Sequence, residues 1–174
     1  DVENQGYGHG AAMTNSTAID CNFTGNTAKI AGGAIFNSNA TNCIFTNNSA
    51  NITGGAIANG IATGCTFTGN TAGTNGGAIA NGTATGCTFT GNSAKENGGA
   101  IYICNATNCV FTENTAGAGG AMAYGEAIDC TFTQNTAGAG GAMFGGIATG
   151  CTFTKNTAGT NGGATNDVAA KDCT

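Results

Sequence analysis

The stretch that decides the fold runs from Cys65 to Gly86 and reads CTFTGNTAGTNGGAIANGTATG. The next 22 residues, from Cys87 to Asn108, read CTFTGNSAKENGGAIYICNATN. Each copy begins with a Cys-x-Phe-x-x-Asn motif and continues to a Gly-Gly-Ala-Ile motif. A repeat of this length predicts a solenoid, because one short unit cannot bury a core by itself and must stack on its neighbours.

The repeat extends through the whole chain. Eight cysteines fall in one register, spaced 22 or 21 residues apart. The first seven are each followed two residues later by a phenylalanine and three residues after that by an asparagine. The predicted core columns are a Cys column (Cys21, Cys43, Cys65, Cys87, Cys109, Cys130, Cys151, Cys173), a Phe column (Phe23, Phe45, Phe67, Phe89, Phe111, Phe132, Phe153) and an Asn column (Asn26, Asn48, Asn70, Asn92, Asn114, Asn135, Asn156).

The pattern inside each repeat predicts strands. In C-T-F-T the alternation has a period of two, which places Cys and Phe on one face of a short strand and the two threonines on the other. Ala-Ile or Ala-Met after the glycine pair predicts a second strand, and Ala-Thr-Gly or Ala-Ile-Asp before each Cys predicts a third. The 21-residue repeats lack one residue between the Asn and the glycine pair, which predicts a loop there.

These strands predict an all-β fold. Units of 21 or 22 residues are too short for a β-α unit with its turns but long enough for two or three strands bent into one coil. We therefore predict a parallel β-helix of about eight coils that forms one domain over residues 1–174, with successive coils ~4.8 Å apart.

Composition excludes several classes of protein. The chain has 32 Gly, no Pro and a formal net charge of −5, and its four basic residues are all lysines, so it has no basic surface for nucleic acid. No apolar run approaches the ~20 residues that a membrane-spanning helix needs, so we expect no membrane insertion. The chain reads as an extracellular product, and nine cysteines in such a chain invite disulfides.

Nothing in the sequence predicts catalysis. The chain has one histidine, no arginine and scattered carboxylates, whereas an enzyme on a β-helix is expected to gather such residues on one face. No Cys-x-x-Cys motif is present, which disfavours a metal site. We expect no enzymatic activity, no metal and no cofactor.

The pairing of F-x-x-N with GGA-[I/M] resembles the repeat of chlamydial polymorphic outer-membrane proteins and of adhesin-like surface proteins from bacteria and methanogenic archaea. The resemblance covers essentially the whole chain and implies a right-handed parallel β-helix at the cell surface. A cysteine in every coil is not part of that family's core motif. The Gly-, Ala-, Thr- and Asn-rich composition is also similar to that of durable extracellular sheaths and filaments.

The register at the two ends predicts self-assembly. Projected backward, it places Asp1 in the Phe column and Asn4 in the Asn column, and Thr174 directly follows the last Cys. A second copy stacked on the first would propagate without closing, so we expect a head-to-tail homopolymer that forms a filament, hoop or sheath. The alternative is that these ends belong to a fragment. The predicted junction, in which Lys155 lies beside Glu3 of the next copy, comprises Asp1, Glu3, Asn4, Cys21, Phe153, Lys155, Asn156 and Cys173.

The cysteines leave several interpretations open. Neighbours in the Cys column can form disulfides in either of two pairings, one of which leaves Cys173 to meet Cys21 of the next copy. They can equally remain a buried ladder of free thiols. Cys104 stands outside the column, where other coils have Gly or Ser, and is predicted at a corner that is accessible for an interchain disulfide.

Two rival functions have their own residues. An outward row of threonines resembles the Thr-x-Thr arrays of insect antifreeze β-helices and would bind ice, although Asn22, Ile44 and Val110 interrupt its companion row. The uninterrupted outward row consists of Thr24, Thr46, Thr68, Thr90, Thr112, Thr133 and Thr154.

A surface adhesin would instead bind a glycan or host-surface ligand through variable aromatic positions. The alternative for these positions is that their side chains pack inward at a widened corner. These positions are Phe36, Tyr102, Tyr124 and Phe144.

Overall fold

The protein was described from a computed structural model, which covers residues 5, 6 and 8–174. This part of the chain is all-β, as predicted, and consists of 27 short strands. It contains no helix that is long and apolar enough to cross a membrane.

The strands recur at almost constant intervals. The first half of the chain contains β1 (Gln5–Gly6), β2 (Met13–Thr14), β3 (Thr17–Ile19), β4 (Asn22–Thr24), β5 (Thr27–Ala28), β6 (Ile35–Phe36), β7 (Asn39–Thr41), β8 (Ile44–Thr46), β9 (Ser49–Ala50), β10 (Ile57–Ala58), β11 (Ile61–Thr63), β12 (Thr66–Thr68), β13 (Thr71–Ala72) and β14 (Ile79–Thr85). The second half contains β15 (Thr88–Thr90), β16 (Ser93–Ala94), β17 (Ile101–Thr107), β18 (Val110–Thr112), β19 (Thr115–Ala118), β20 (Met122–Ala123), β21 (Glu126–Ile128), β22 (Thr131–Thr133), β23 (Thr136–Ala139), β24 (Met143–Thr149), β25 (Thr152–Thr154), β26 (Thr157–Ala158) and β27 (Thr165–Lys171).

Three parallel sheets run along the solenoid. Sheet A has seven strands from β4 to β25 and contains the Phe column, and sheet B has eight strands from β1 to β26. Sheet C has 12 strands and combines the second and third predicted strands of each coil. Each strand pairs with its counterpart one coil away, so that Phe67 lies against Phe89 and Phe89 against Phe111. This register confirms the predicted parallel β-helix.

Two features of the coils refine the prediction. The second and third strands fuse into one continuous strand in four coils, as in β14, so the corner between them is shallow. In the two 21-residue repeats, the predicted loop is replaced by the four-residue strands β19 and β23. The 22-residue coils bend at that place and keep only isolated bridges, such as Thr53 with Asn75. The extra residue is therefore accommodated as a bend, and its loss straightens the chain.

The core is a set of stacked columns. Neighbouring rings in the Phe column lie 4.8–5.0 Å apart between centroids and 4–8° from parallel. Isoleucines or methionines, alanines and the Cys column fill the rest of the interior. Burial of one Phe side chain contributes about 1.5–3 kcal/mol. Because each coil covers the next, this contribution belongs to the contact between coils.

Left-handed backbone makes the sharp corners. The residue directly before each column Asn has a positive φ, from Gly25 at 67° to Lys155 at 54°. Asparagine tolerates this conformation well, and glycine adopts it without strain. The second glycine of each Gly-Gly pair has a different role, because a Cβ on Gly55 would overlap the carbonyl oxygen of Gly77 in the next coil. These glycines allow the backbones of successive coils to approach.

Candidate functional site

The Asn column is a buried, directional hydrogen-bond ladder. The backbone N–H and the side-chain Nδ2 of Asn70 both donate to Oδ1 of Asn92, at 3.0 and 2.9 Å. Nδ2 of Asn92 also donates to the carbonyl oxygen of Phe67 in the preceding coil, at 3.0 Å. The interior side chains of the column are fully buried, so each amide depends on both neighbouring coils for its partners.

The Cys column is a ladder of free thiols. The backbone N–H of Cys65 donates to Sγ of Cys87 at 3.4 Å, and the thiol of Cys87 donates to the carbonyl oxygens of Thr85 and Ala62. All nine cysteines are free, so neither disulfide pairing is formed. The column is buried from Cys43 to Cys151, whereas Cys21 and Cys173 at its two ends are partly exposed.

Cys104 requires a correction. The sequence predicted an accessible corner and an interchain disulfide, but Cys104 is only 1% exposed and its thiol donates to the carbonyl oxygen of Tyr102 at 3.2 Å. Burial raises the pKa of the Cys104 thiol to about 12. The Gly residues at this position in other coils do not mark an exposed turn. They are small because the position faces inward, where a Cβ on Gly60 would overlap the carbonyl oxygen of Ser38.

Residues 153–174 are the last turn that the structure describes, and we call this turn the terminal level. Phe153, Asn156 and Cys173 are all partly exposed here, although their column neighbours in the coil below are buried. Ala170 is exposed, whereas its partner Ala148 in the coil below is fully buried. Core positions on the terminal level are therefore less buried than their counterparts one coil below.

Polar groups on the terminal level have the same arrangement as in the interior. Asn156 accepts hydrogen bonds from the backbone N–H and Nδ2 of Asn135, both at 2.9 Å, and its own Nδ2 donates to the carbonyl oxygen of Phe132. Within residues 8–174, nothing accepts from the backbone N–H of Asn156, which in lower coils donates to the next Asn. An Oδ1 atom from a further coil would complete this pattern.

Thr174 continues the backbone hydrogen-bond pattern of sheet A past β25. Its backbone N–H donates to the carbonyl oxygen of Cys151 at 3.0 Å, and its carbonyl oxygen accepts from the backbone N–H of Phe153 at 2.8 Å. Its hydroxyl lies 3.3 Å from that of Thr152. The ladder bonds of sheet A thus continue onto the terminal level.

The structure places the predicted junction residues on two faces. Phe153, Lys155, Asn156 and Cys173 lie together on the terminal level, with the Lys155 side chain exposed. Cys21 lies at the opposite end of the Cys column. The expectations for Asp1, Glu3 and Asn4 fall outside the described residues, so the Lys155–Glu3 pair stays a prediction.

The outward face of sheet A is more regular than the sequence suggested. The row from Thr24 to Thr154 is exposed or partly exposed along its whole length, and the strands beneath it are in register. Ile44 and Val110, which interrupt the companion row chemically, are 46% and 42% exposed and point outward like its threonines. Threonine, isoleucine and valine all have a γ-methyl group on a branched Cβ. The methyl array is therefore continuous from Ile44 to Thr152.

The aromatic positions are divided between packing and exposure. The ring of Tyr124 lies between those of Tyr102 and Phe144, with centroids 6.0 and 5.7 Å away and nearly perpendicular planes. Tyr124 is 43% exposed. Tyr102 is partly exposed, whereas Ala58, at the equivalent position two coils earlier, is buried. These aromatic side chains therefore pack against one another at a corner and also reach the surface.

The described residues contain no group of three or more His, Cys, Asp or Glu side chains placed to hold a metal ion. Their organised features are the stacked columns, the outward rows and the terminal level. These features define a parallel β-helix repeat protein.

Comparison with known families identifies the repeat. The model of the Chlamydia polymorphic membrane protein repeat matches residues 20–38, 42–60, 64–82, 86–104 and 150–166, which together make up more than half of the chain. The chain therefore belongs to this family of surface and outer-membrane proteins, a non-enzymatic kind of protein. The unmatched stretch between residues 104 and 150 contains both 21-residue repeats. No curated protein and no solved structure matches the chain.

Proposed function

We propose that this chain is a non-enzymatic, extracellular structural protein of the cell surface that assembles head-to-tail into a filament, hoop or sheath. The observation that supports this proposal is the in-register stacking of like residues, by which every interior coil binds its neighbour through the Phe, Asn and Cys columns. On the terminal level, Phe153, Asn156 and Cys173 keep this register. The polymorphic membrane protein repeat supports a surface location.

The interior of the molecule shows what such a junction would gain. Each coil contact contains ladder bonds in the sheets, one more ring on the Phe column and one more amide on the Asn column. Unpaired backbone groups at the edge of a sheet are a template for another chain. A contact between the top of one copy and the bottom of the next is heterologous and does not close, so it propagates into a fibre.

The partner in this junction is the first coil of a second copy. Gln5 pairs with Thr27 in the described structure, so in sequence Asn4 is the counterpart of Asn26. An Asn4 side chain placed on Asn156 would supply the acceptor that the Asn column uses at each interior level. Asp1 would take the next place in the Phe column, and Glu3 would lie beside Lys155.

Two neighbouring alanines provide a matched test of this junction. Ala169 and Ala170 are both exposed on the terminal level, but their partners one coil below differ. Ile147 points outward and is 47% exposed, whereas Ala148 is fully buried. Ala170 therefore occupies a core position on the stacking face, and Ala169 belongs to the outer wall.

The experiment compares the 174-residue chain with Ala170→Lys and Ala169→Lys by sedimentation and electron microscopy over a range of concentrations. We expect concentration-dependent polymers for the unmodified chain and for Ala169→Lys, and monomers for Ala170→Lys, because a lysine there places an unpaired charge in the junction. Polymers of Ala170→Lys equal to those of the unmodified chain would refute the proposal. Monomers of the unmodified chain that bind a glycan or host-surface protein would instead support an adhesin.

A second candidate function, binding to ice, is favoured by the continuous γ-methyl array on sheet A. Both rows lie on one parallel sheet, and no charged side chain interrupts them between Thr24 and Thr154. Thermal hysteresis of the monomeric Ala170→Lys variant tests this function, since polymerisation cannot contribute. A clear effect that is lost on adding Thr68→Lys, but not Thr71→Lys on sheet B, would support ice binding. No hysteresis would exclude it.

A further inference from the structure

The five Asn-Gly pairs of the chain differ in chemical exposure. They are Asn59–Gly60, Asn75–Gly76, Asn81–Gly82, Asn97–Gly98 and Asn161–Gly162. Glycine after asparagine favours deamidation, because a residue without a Cβ lets its backbone nitrogen approach the asparagine side chain. We infer that Asn59 is a site of spontaneous deamidation, with water as co-reactant, and that the β-ladder protects Asn75 and Asn97.

The reaction needs only groups that the chain and the solvent supply. The backbone nitrogen of Gly60 attacks the side-chain carbonyl carbon of Asn59, a C–N bond forms, and ammonia leaves with the proton lost by that nitrogen. The product is a five-membered succinimide. Water then adds to one of its two carbonyl carbons and breaks one C–N bond, which gives aspartate or isoaspartate. The net change is amide plus water to carboxylate plus ammonium, without any oxidation or reduction.

Asn59 and Gly60 meet the requirements of this reaction. Asn59 is exposed and lies at the corner after β10, with a φ of 57°. Its backbone N–H donates to the carbonyl oxygen of Ala80, but its side chain makes no hydrogen bond within residues 8–174. In the same part of the chain the Gly60 N–H donates to no acceptor, although its carbonyl oxygen accepts from Thr83. The attacking nitrogen and the side-chain amide are therefore both outside the ladder.

Asn75 and Asn97 have the same dipeptide sequence in a different setting. The N–H of Gly76 donates to the carbonyl oxygen of Asn97, and the N–H of Gly98 donates to that of Ala118, both at 2.9 Å. The two asparagine side chains also bind each other, with Nδ2 of Asn97 donating to Oδ1 of Asn75 at 2.8 Å. Attack by either glycine nitrogen would require a ladder bond to open and the amide to leave its partner. Local opening of the ladder therefore limits the reaction.

Asn81 has the same dipeptide sequence one coil further along but a different setting, because it lies inside β14 and Gly82 pairs with Cys104 of the next coil. It is exposed, has a φ of 55° and is followed by Gly82. Deamidation at Asn59 would change the formal net charge from −5 to −6, because it replaces one neutral amide with one carboxylate. The Asn59 side chain is exposed, so the β-helix keeps its buried columns while its outer wall becomes more acidic with age.

The experiment follows each site in one molecule. The folded chain is incubated at pH 8 in water labelled with oxygen-18, then unfolded and digested for peptide mapping by mass spectrometry. We expect labelled aspartate and isoaspartate to accumulate at Asn59 at least about tenfold faster than at Asn75 and Asn97. Asn81, whose glycine lies in a paired strand, should react at an intermediate rate. The same incubation in denaturant should give similar rates at all four sites, because their dipeptide sequence is the same.

A variant removes the reacting group without changing the corner. Asn59→Gln lengthens the side chain and disfavours the five-membered ring, and Gln134 shows that glutamine tolerates a left-handed corner in this fold. This variant should lose the Asn59 product, keep the slower products of the other Asn-Gly pairs and retain its β-sheet circular dichroism. Equal rates at Asn59 and Asn75 in the folded chain would overturn the inference. So would an unreactive Asn59 in the folded chain when the denatured chain reacts.

Discussion

The interior coils and the terminal level contain the same residue types but differ in environment. Phe89 and Asn92 are fully buried, whereas Phe153 and Asn156 in equivalent positions are partly exposed. The local sequences, TFTGN and TFTKN, are almost identical. The difference arises from the neighbouring coils, since each interior coil has a described coil on both sides. Burial and hydrogen-bond saturation in this molecule are therefore properties of the stack, as expected for a solenoid stabilised by nearest-neighbour contacts.

The two regions should differ most in the free energy of unfolding that a side chain of the Phe column contributes. Phe89→Ala should lower the free energy of unfolding by about 3–5 kcal/mol, because it removes a ring that is covered on both sides and leaves a cavity. Phe153→Ala should cost about half as much, since that ring is partly exposed and stacks on Phe132 alone among the described residues. Urea unfolding followed by circular dichroism measures both values. Equal losses would show that the terminal level is as well packed as the interior.

The free energy of unfolding contributed by a side chain of the Asn column should show the next largest difference between the interior and the terminal level. Asn92→Ala removes the acceptor of two bonds from Asn70 and leaves buried donors unsatisfied, at about 1–3 kcal/mol for each group. We expect a total loss of about 3 kcal/mol. Asn156→Ala should cost about 1 kcal/mol, because water can reach this partly exposed level. The same urea measurement tests both variants, and a larger loss for Asn156→Ala would contradict a ladder that depends on burial.

Cysteines of the interior and of the terminal level should be alkylated at different rates. Cys173 is partly exposed and should react with a small maleimide at pH 8, whereas Cys87 and Cys104 are buried. Burial also raises the pKa of Cys104 to about 12, so its reactive thiolate is scarce at that pH. We expect Cys173 to react at least about tenfold faster than either, as measured by peptide mass spectrometry.

The same reagent gives a control on the proposed polymer. Assembly should protect Cys173 and Cys21 together, because the junction places them in one continuous Cys column. Ala170→Lys should leave Cys173 reactive at every concentration. Protection of Cys173 in that variant would mean that something other than stacking covers the terminal level.

The sequence was sufficient to predict the fold because each column repeats its own residue type. The 22-residue spacing of Phe67 and Phe89 requires in-register stacking if both are to be buried, and the structure has that register. The fusion of the second and third strands was not predicted, since the corner between them depends on backbone angles rather than on hydrophobic pattern. The family was also predictable, because its two motifs recur in seven copies.

The sites were less predictable because they depend on which way a side chain points. Cys104 was misplaced because glycine at equivalent positions suggested an exposed turn, whereas an inward position beside a neighbouring carbonyl also requires a small residue. The methyl array of sheet A was missed because Ile44 and Val110 were compared with threonine by polarity rather than by shape. The partial exposure of Asn156 could not be inferred at all, since its motif is the same as in the interior.

The smallest expected effect concerns charge at the proposed junction. Lys155 is exposed on the terminal level, and its expected partner is Glu3 of the next copy. An exposed ion pair contributes about 0–1 kcal/mol and is screened by salt, so Lys155→Gln should raise the concentration needed for half assembly by no more than about fivefold. Light scattering at low salt and in 1 M NaCl measures this shift. Lys95→Gln, an exposed lysine on an interior coil, should produce no shift, and both variants should match the unmodified chain at high salt. Complete loss of assembly in Lys155→Gln would mean that charge, rather than the continued Phe and Asn columns, holds the copies together.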